Sequence, residues 1–126
     1  MLADGFFEWV PVGGKKQPNY FRLWDGAPFA FAGLWEHWEK GGRALDSCTI
    51  LTTDANELVQ PVHERMPVIL APTDFGLWLD PKAAKSEELQ ALLRPFPAKA
   101  MTAYPVDARV NSPRNNDAAC VAPLAV

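Results

Sequence analysis

The chain has 126 residues, 48% of them hydrophobic and 21% charged, with five tryptophans and a formal net charge of −3. That length suits one domain hiding about two-thirds of its unfolded surface, and the composition is that of a folded, soluble protein rather than a disordered or fibrous one. The negative balance excludes gripping nucleic acid by overall basicity, because counterion release needs several Lys or Arg at phosphates, but it permits a local basic groove. No apolar run approaches about 18 residues, and the start, MLADGFFEWV, has no basic leader region, so neither a membrane span nor a signal peptide is expected and the chain reads as cytoplasmic.

In chain order, GFFEWV (5–10) and YFRLW (20–24) are aromatic and β-branched runs. The intervening PVGGKKQPN carries Gly13, Gly14 and two prolines that cannot continue a strand, so the pair predicts a hairpin with 11–19 as its connection. PFAFAGLW (28–35) follows an Asp25-Gly26 turn and is apolar on both alternating faces, which predicts a strand covered on both sides. HWEKGGRALD (37–46) reads as a polar connection, and CTILTT (48–53) as a second buried strand with Cys48 as a buried thiol. DANELVQ (54–60) suits a short helix, with Thr53 or Asp54 as cap, Glu57 in a capping-box position and Pro61 as its end.

Pro67 permits an extended entry into a strand over VIL (68–70). TDFGLWL (73–79) suits one helical turn, and SEELQALL (86–93) a stronger helix, with Ser86 as cap, Glu87 and Glu88 at its positive end and a Leu89, Leu92, Leu93 stripe. AMTAYPV (100–106) and ARV (108–110) are the last strand candidates before a turn cluster, NSPRNND (111–117), and a tail holding Cys120. Several short strands with helices inserted late define an α+β fold with a mainly antiparallel sheet.

Few residues offer chemistry. Glu8 stands between Phe7 and Trp9. A carboxylate desolvated by such neighbours moves toward its neutral form and could exchange a proton near neutral pH, although strand alternation alone favours a side chain that simply faces water. His63 is one of two histidines and titrates near physiological pH, yet a lone histidine beside a turn is more often a hydrogen-bonding group. Arg65, two residues on, would point to the same side of an extended segment and suit a phosphate or carboxylate ligand. Trp9 is the tryptophan placed to stack on a base beside Glu8. His37 with Glu36 and Glu39 lacks repeated ligand spacing, and the two cysteines have no CxxC spacing, so neither a metal nor a disulfide is expected.

Six segments in order, ADGFFEW (3–9), FAFAGLWE (29–36), SCTILTTDAN (47–56), HERMPVIL (63–70), WLDP (78–81) and YPVDARVNSPRNND (104–117), resemble the SOS response-associated peptidase (SRAP) family of abasic-site processing proteins, including its H-x-R-M-P signature. The resemblance implies a barrel-like SRAP sheet, binding of single-stranded DNA, and a covalent link to abasic sites. In that chemistry an N-terminal cysteine, freed of the initiator methionine by the protein's own peptidase activity, condenses with the ring-opened sugar, and amine and thiol close a thiazolidine. By motif, Glu8 and His63 would assist proton transfers, Arg65 would touch phosphate, Trp9 would contact DNA and Thr52 would line the pocket. No cofactor is implied.

The family's Met-Cys-Gly-Arg start and N-A-R-x-E segment have no counterpart here, and Leu2 stands where the nucleophile is expected. The resemblance is therefore to the C-terminal part of the domain, and a truncated gene, a late start codon or a split pair would each account for it. Acid/base groups cannot replace the amine and thiol that form the adduct, so the chain is expected to be inactive alone and to need a complementing N-terminal half. An apolar patch where that half would pack is a further expectation. The competing functions are a noncatalytic single-stranded DNA-binding module and a nonfunctional remnant.

Overall fold

The computed structural model describes residues 1–83 and 87–125. Among them the fold is α+β: short strands in antiparallel ladders, connected by turns and brief helices. The strands are β1 (Leu2–Ala3), β2 (Phe6–Val12), β3 (Lys15–Leu23), β4 (Phe29–Phe31), β5 (Gly33–Lys40), β6 (Arg43–Ile50), β7 (Thr52–Asp54), β8 (Arg65–Pro67), β9 (Ile69–Leu70) and β10 (Met101–Pro105). They form ladders in the orders β1-β4-β9, β10-β3-β2, β5-β6 and β7-β8. The expected barrel-like closure does not occur, because short strands with irregular residues between them keep the four ladders separate.

Side-chain alternation in the β10-β3-β2 sheet decides what each face does. Phe6 and Phe21 are paired across β2 and β3, and their rings stack at 5.2 Å. Their face meets Phe29, Phe31, Val59, Met66 and Ile69 in the main core. The opposite face carries Phe7, Pro18, Tyr20 and Tyr104, and the chain after β10 folds over it, held by a hydrogen bond from the Tyr104 hydroxyl to the Val121 carbonyl. A second cluster joins Ala32, Val68, Leu70 and Leu92 to Phe75, Leu77 and Trp78. Phe75 and Trp78 bound the short helix α1 (Phe75–Trp78).

The first hairpin is tighter than its sequence suggested. Its strands run to Val12 and resume at Lys15, leaving only Gly13 and Gly14 in the turn, with φ of 55° and 78°. Two consecutive positive φ values make the mirror-image turn that matches strand twist, which glycine adopts without strain. The prolines fit for separate reasons. Pro11 lies on the edge strand β2, and the Pro18 carbonyl accepts from the Val106 N–H on the β10 side, so the Pro18 nitrogen also faces that side, past the end of β10.

Residues 28–35 are not one doubly covered strand. Ala32 divides β4 from β5, and Trp35 is 76% exposed. The predicted polar connection is instead the end of the long β5-β6 hairpin, which turns at Gly41 and Gly42 with φ of 58° and 75°. Cys48 in β6 is exposed rather than the buried thiol expected, and Cys120 in the tail is buried. Residues 48–53 likewise split, with Leu51 between β6 and β7.

No helix forms over 54–60. Asp54 closes β7, and a set of turns follows. At the C-terminal side ARV belongs to a 3-10 turn, Ala108–Asn111, rather than a strand. The later helix α2 spans Glu87–Ala91, and the expected Ser86 cap lies outside the described residues.

Phe21 has no exposed surface and joins the stacked pair to the rest of the core. Phe21→Ala is expected to lower unfolding free energy by about 3–5 kcal/mol, the usual cost of removing a buried aromatic ring. Urea denaturation followed by tryptophan emission measures it, and a loss below about 1 kcal/mol would contradict the packing described.

Candidate functional site

Glu8 shares the core-side face of β2 with Phe6, but lies nearer the margin of the sheet and is only half-buried. Burial pushes its carboxyl pKa above the ordinary 4.5, and the nearby charge of His63 draws it partway back. Glu8 is thus partly covered and partly open to water. It is a partly desolvated acid within electrostatic reach of an imidazole.

His63 reaches that position through a turn built on the core. The Asn56 side-chain oxygen accepts from the Leu58 and Val59 N–H groups, each at 3.1 Å, while its Nδ2 donates to the Phe96 carbonyl at 2.7 Å. Val59, fully buried, then accepts the His63 backbone N–H at 3.0 Å. The turn is capped by Asn56, not by Thr53 or Asp54. Asn56 was not singled out in the sequence, where an asparagine after a strand signals only a turn.

The His63 ring is fixed from one side. Its Nδ1 lies 3.0 Å from the Arg65 backbone nitrogen and 2.9 Å from the Arg65 carbonyl oxygen. It either accepts the N–H or, when protonated, donates to the carbonyl, and in both cases the ring addresses its surroundings through Nε2.

Arg65 begins β8, opposite Asp54 of β7. Its guanidinium donates to Asp54 Oδ1 at 2.7 Å, to the Thr52 carbonyl at 2.9 Å and to Thr52 Oγ1 at 3.2 Å. Thr52 and Arg65 are both exposed, so the cation is oriented but remains accessible. The structure thus joins His63, Arg65 and Thr52 by hydrogen bonds, with Glu8 within electrostatic reach of His63.

Trp9 is placed apart from them. It follows Glu8 and so projects from the other face, where its ring lies 6.3 Å from that of Phe7 and its indole N–H donates to Asn111 Oδ1 at 2.7 Å. Trp9, Lys16 and Asn111 line a surface pocket of about 380 Å³. Asn111, within the segment read as a turn, is the other polar partner that the sequence did not single out. Among the described residues no group of three or more His, Cys, Asp or Glu side chains could hold a metal, and no helix is long and apolar enough to cross a membrane.

A half-buried acid, an imidazole and an oriented guanidinium lie at the margin of an antiparallel α+β fold, a combination whose chemistry suits proton transfer and anion contact. The chain belongs to the SOS response associated peptidase (SRAP) family, whose sequence profile matches residues 1–113. It is 48% identical over 118 residues to the abasic site processing protein YoaM of Bacillus subtilis, covering 92% of this chain and 52% of that protein. It is 36% identical to the abasic site processing protein HMCES of Gallus gallus, covering 98% of this chain and 43% of that one. A crystal structure of a Bacteroides thetaiotaomicron protein superposes with a TM-score of 0.88 at 28% identity, covering 99% of this chain and 56% of the other. The chain spans about half the length of the relatives it matches.

Two predictions follow from the geometry. Folding raises the Glu8 pKa, so its contribution to stability is fully present below 4.5 and is lost as pH rises through the folded midpoint. Wild type should therefore lose stability relative to Glu8→Gln on going from acid to neutral pH, and His63→Ala should raise the Glu8 carboxyl midpoint seen by NMR. An unchanged midpoint would separate the two groups. Asn56→Ala removes four side-chain hydrogen bonds, one of them to the Met101 sulfur, and is expected to cost on the order of 2–3 kcal/mol in denaturant unfolding. A change under about 0.5 kcal/mol would remove Asn56 from its anchoring role.

Proposed function

We propose that this chain supplies the acid/base and DNA-contacting part of an abasic-site processing site, acting on single-stranded DNA, while the nucleophile comes from a complementing N-terminal half. The observation that carries this reading is the proximity of partly desolvated Glu8 to His63, with Arg65 held alongside. An abasic site presents an aldehyde flanked by phosphates. The aldehyde needs proton transfers to lose its oxygen as water, and the phosphates need a cation.

In the proposed reaction a cysteine α-amine adds to the aldehyde carbon to give a carbinolamine. Protonation of its hydroxyl by the neutral Glu8 carboxyl releases water and leaves an iminium. The cysteine thiol gives its proton to His63 or to the Glu8 carboxylate, and the resulting thiolate adds to that carbon and closes a thiazolidine whose ring nitrogen keeps its hydrogen. The sum is aldehyde plus aminothiol giving thiazolidine plus one water, with no redox change. Glu8 is suited to the acid role because burial keeps its proton to higher pH than in a free carboxyl. His63, with Nδ1 engaged at Arg65, works through Nε2. The peptidase activity named for the family would draw on the same two groups.

Arg65 is assigned to phosphate and Thr52 to the pocket wall beside it. Trp9 is assigned to a base farther along the strand, since it leaves β2 on the face opposite Glu8. Cys48 and Cys120 are both internal and cannot offer amine and thiol on one residue, so residues 1–126 alone would bind without linking. Noncovalent single-strand binding is the second reading, favoured by the Trp9–Lys16 pocket.

The test is incubation with an abasic single-stranded oligonucleotide, read by denaturing gel. The chain alone is expected to give no adduct. When co-expressed with a half carrying an N-terminal cysteine it is expected to give one, slowed about 10²-fold or more by Glu8→Gln or His63→Ala. Arg65→Ala should weaken binding and lower the salt dependence by about one phosphate contact. Equal adduct rates in wild type and both acid/base variants would overturn the assignment.

A further inference from the structure

An apolar depression lies away from Glu8 and His63. It is a groove of about 470 Å³ whose wall includes Leu2, Phe31, Leu34, Trp35, Cys48 and Trp78. Leu2 is 80% exposed and Trp35 76%. Side chains of this size in a contiguous surface mark an interaction site rather than scattered exposure.

We propose that this groove is the seat of the other half of the SRAP domain, a polypeptide of roughly this chain's own length. The inference rests on the reading that a complementing half exists, and adds where it docks. Four observations converge on it. The matched relatives carry nearly as much chain again, since this one spans 52% of YoaM and 56% of the Bacteroides thetaiotaomicron protein. The superposition with the latter covers 99% of this chain, so its own half of the fold already has the family shape and the remainder must settle on a face still open. One face of the β10-β3-β2 sheet is filled by the core and the other is covered by the chain after β10. The groove side is open and apolar.

The third observation is the β5-β6 hairpin, which is exposed along nearly its whole length while carrying Leu34, Trp35, Trp38 and Leu45. A two-stranded ribbon is marginal in water unless something packs on it, and these residues are what a packing partner would cover. The fourth is the edge beside Met1. The Met1 ammonium donates to the Phe31 carbonyl at 3.1 Å, and β1 pairs with β4 on one side only. Its outer edge offers backbone hydrogen bonds to an added strand, and its start opens at the groove rim. A polypeptide partner, unlike a small ligand, uses both the strand edge and the apolar wall.

Cys48 gives a local readout, being exposed on the groove wall while Cys120 is buried. The segment of Bacillus subtilis YoaM outside its match to this chain serves as the probe, both co-expressed as a separate chain and fused ahead of Met1. Alkylation of Cys48, followed by peptide mass spectrometry, is expected to slow at least tenfold in the complex and in the fusion. Native mass spectrometry should show one copy of each chain. Leu34→Asp with Trp35→Asp should abolish the complex and restore alkylation in the fusion, while Val12→Asp, on the other hairpin, should change neither. Both groove positions are exposed, so the free variant should keep the wild-type circular dichroism.

An unprotected Cys48 in the fusion would overturn the proposal, even if the separate probe proved insoluble. So would a complex indifferent to Leu34 and Trp35, or a homodimer of this chain that protects Cys48 and excludes the probe. No readout uses DNA, so complex formation without adduct would refute the proposed chemistry and leave the docking surface standing, and adduct without Cys48 protection would do the reverse.

Discussion

Three backbone hydrogen bonds at one point organise this molecule. Ala32 N–H donates to the Val68 carbonyl, Val68 N–H to Leu51 and Leu51 N–H to Ala32, each at 2.9 Å. Each residue is the single break between two strands: Ala32 between β4 and β5, Leu51 between β6 and β7, Val68 between β8 and β9. A backbone amide buried without a partner costs as much as a lost hydrogen bond, so three strands that bend at the same level satisfy one another there. Ala32 and Val68 are fully buried at this junction. At this level the strands exchange partners and part, β5 pairing with β6 and β7 with β8, and the ladders of the described residues do not close into a barrel.

The site depends on that divergence. Thr52, Asp54 and Arg65 stand on β7 and β8 just beyond the junction, and Arg65 spends its guanidinium donors on both neighbours. An exposed ion pair of this kind adds little stability, of order 0–1 kcal/mol, so its consequence is orientation rather than cohesion. His63 is fixed by different means, through Val59 in the core and Asn56 at the turn. Glu8 arrives from the other sheet. Acid and imidazole thus come from separate layers, and only packing of the Phe6–Phe21 face against Val59 and Met66 brings them near each other.

This origin explains what the sequence revealed. The antiparallel α+β class was legible from short β-branched and aromatic runs, and the family from ordered motifs that local chemistry alone would not have joined. The breaks at Ala32 and Leu51 were not, because an apolar run reads as one strand whether or not its backbone bends for a distant partner. Residues 54–60 have helical spacing and an acidic start, but Asn56 bonds to Phe96 and Val59 is held in the core, so tertiary anchoring overrides propensity. Gly5 was equally silent: a Cβ there would lie 2.2 Å from the Tyr20 ring, a requirement set by β3 packing and not by any turn. Trp9 was expected to stack on a base beside Glu8, but consecutive strand residues project to opposite faces and its ring lies toward Phe7 and Asn111.

The junction also ties the apolar groove to the site. Residues 63–70 form one continuous segment that carries His63 and Arg65, passes through Val68 and ends at Leu70 in the groove wall. Thr49 and Thr52 stand in the same relation on either side of Leu51. Interiors this close-packed have low compressibility, so force on one end of such a segment is not absorbed within it. Whatever covers the groove therefore bears on the strands whose other ends orient Arg65 and Thr52. His63, Arg65 and Thr52 belong to segments that run through the junction, whereas Glu8 reaches His63 only by packing from the β10-β3-β2 sheet.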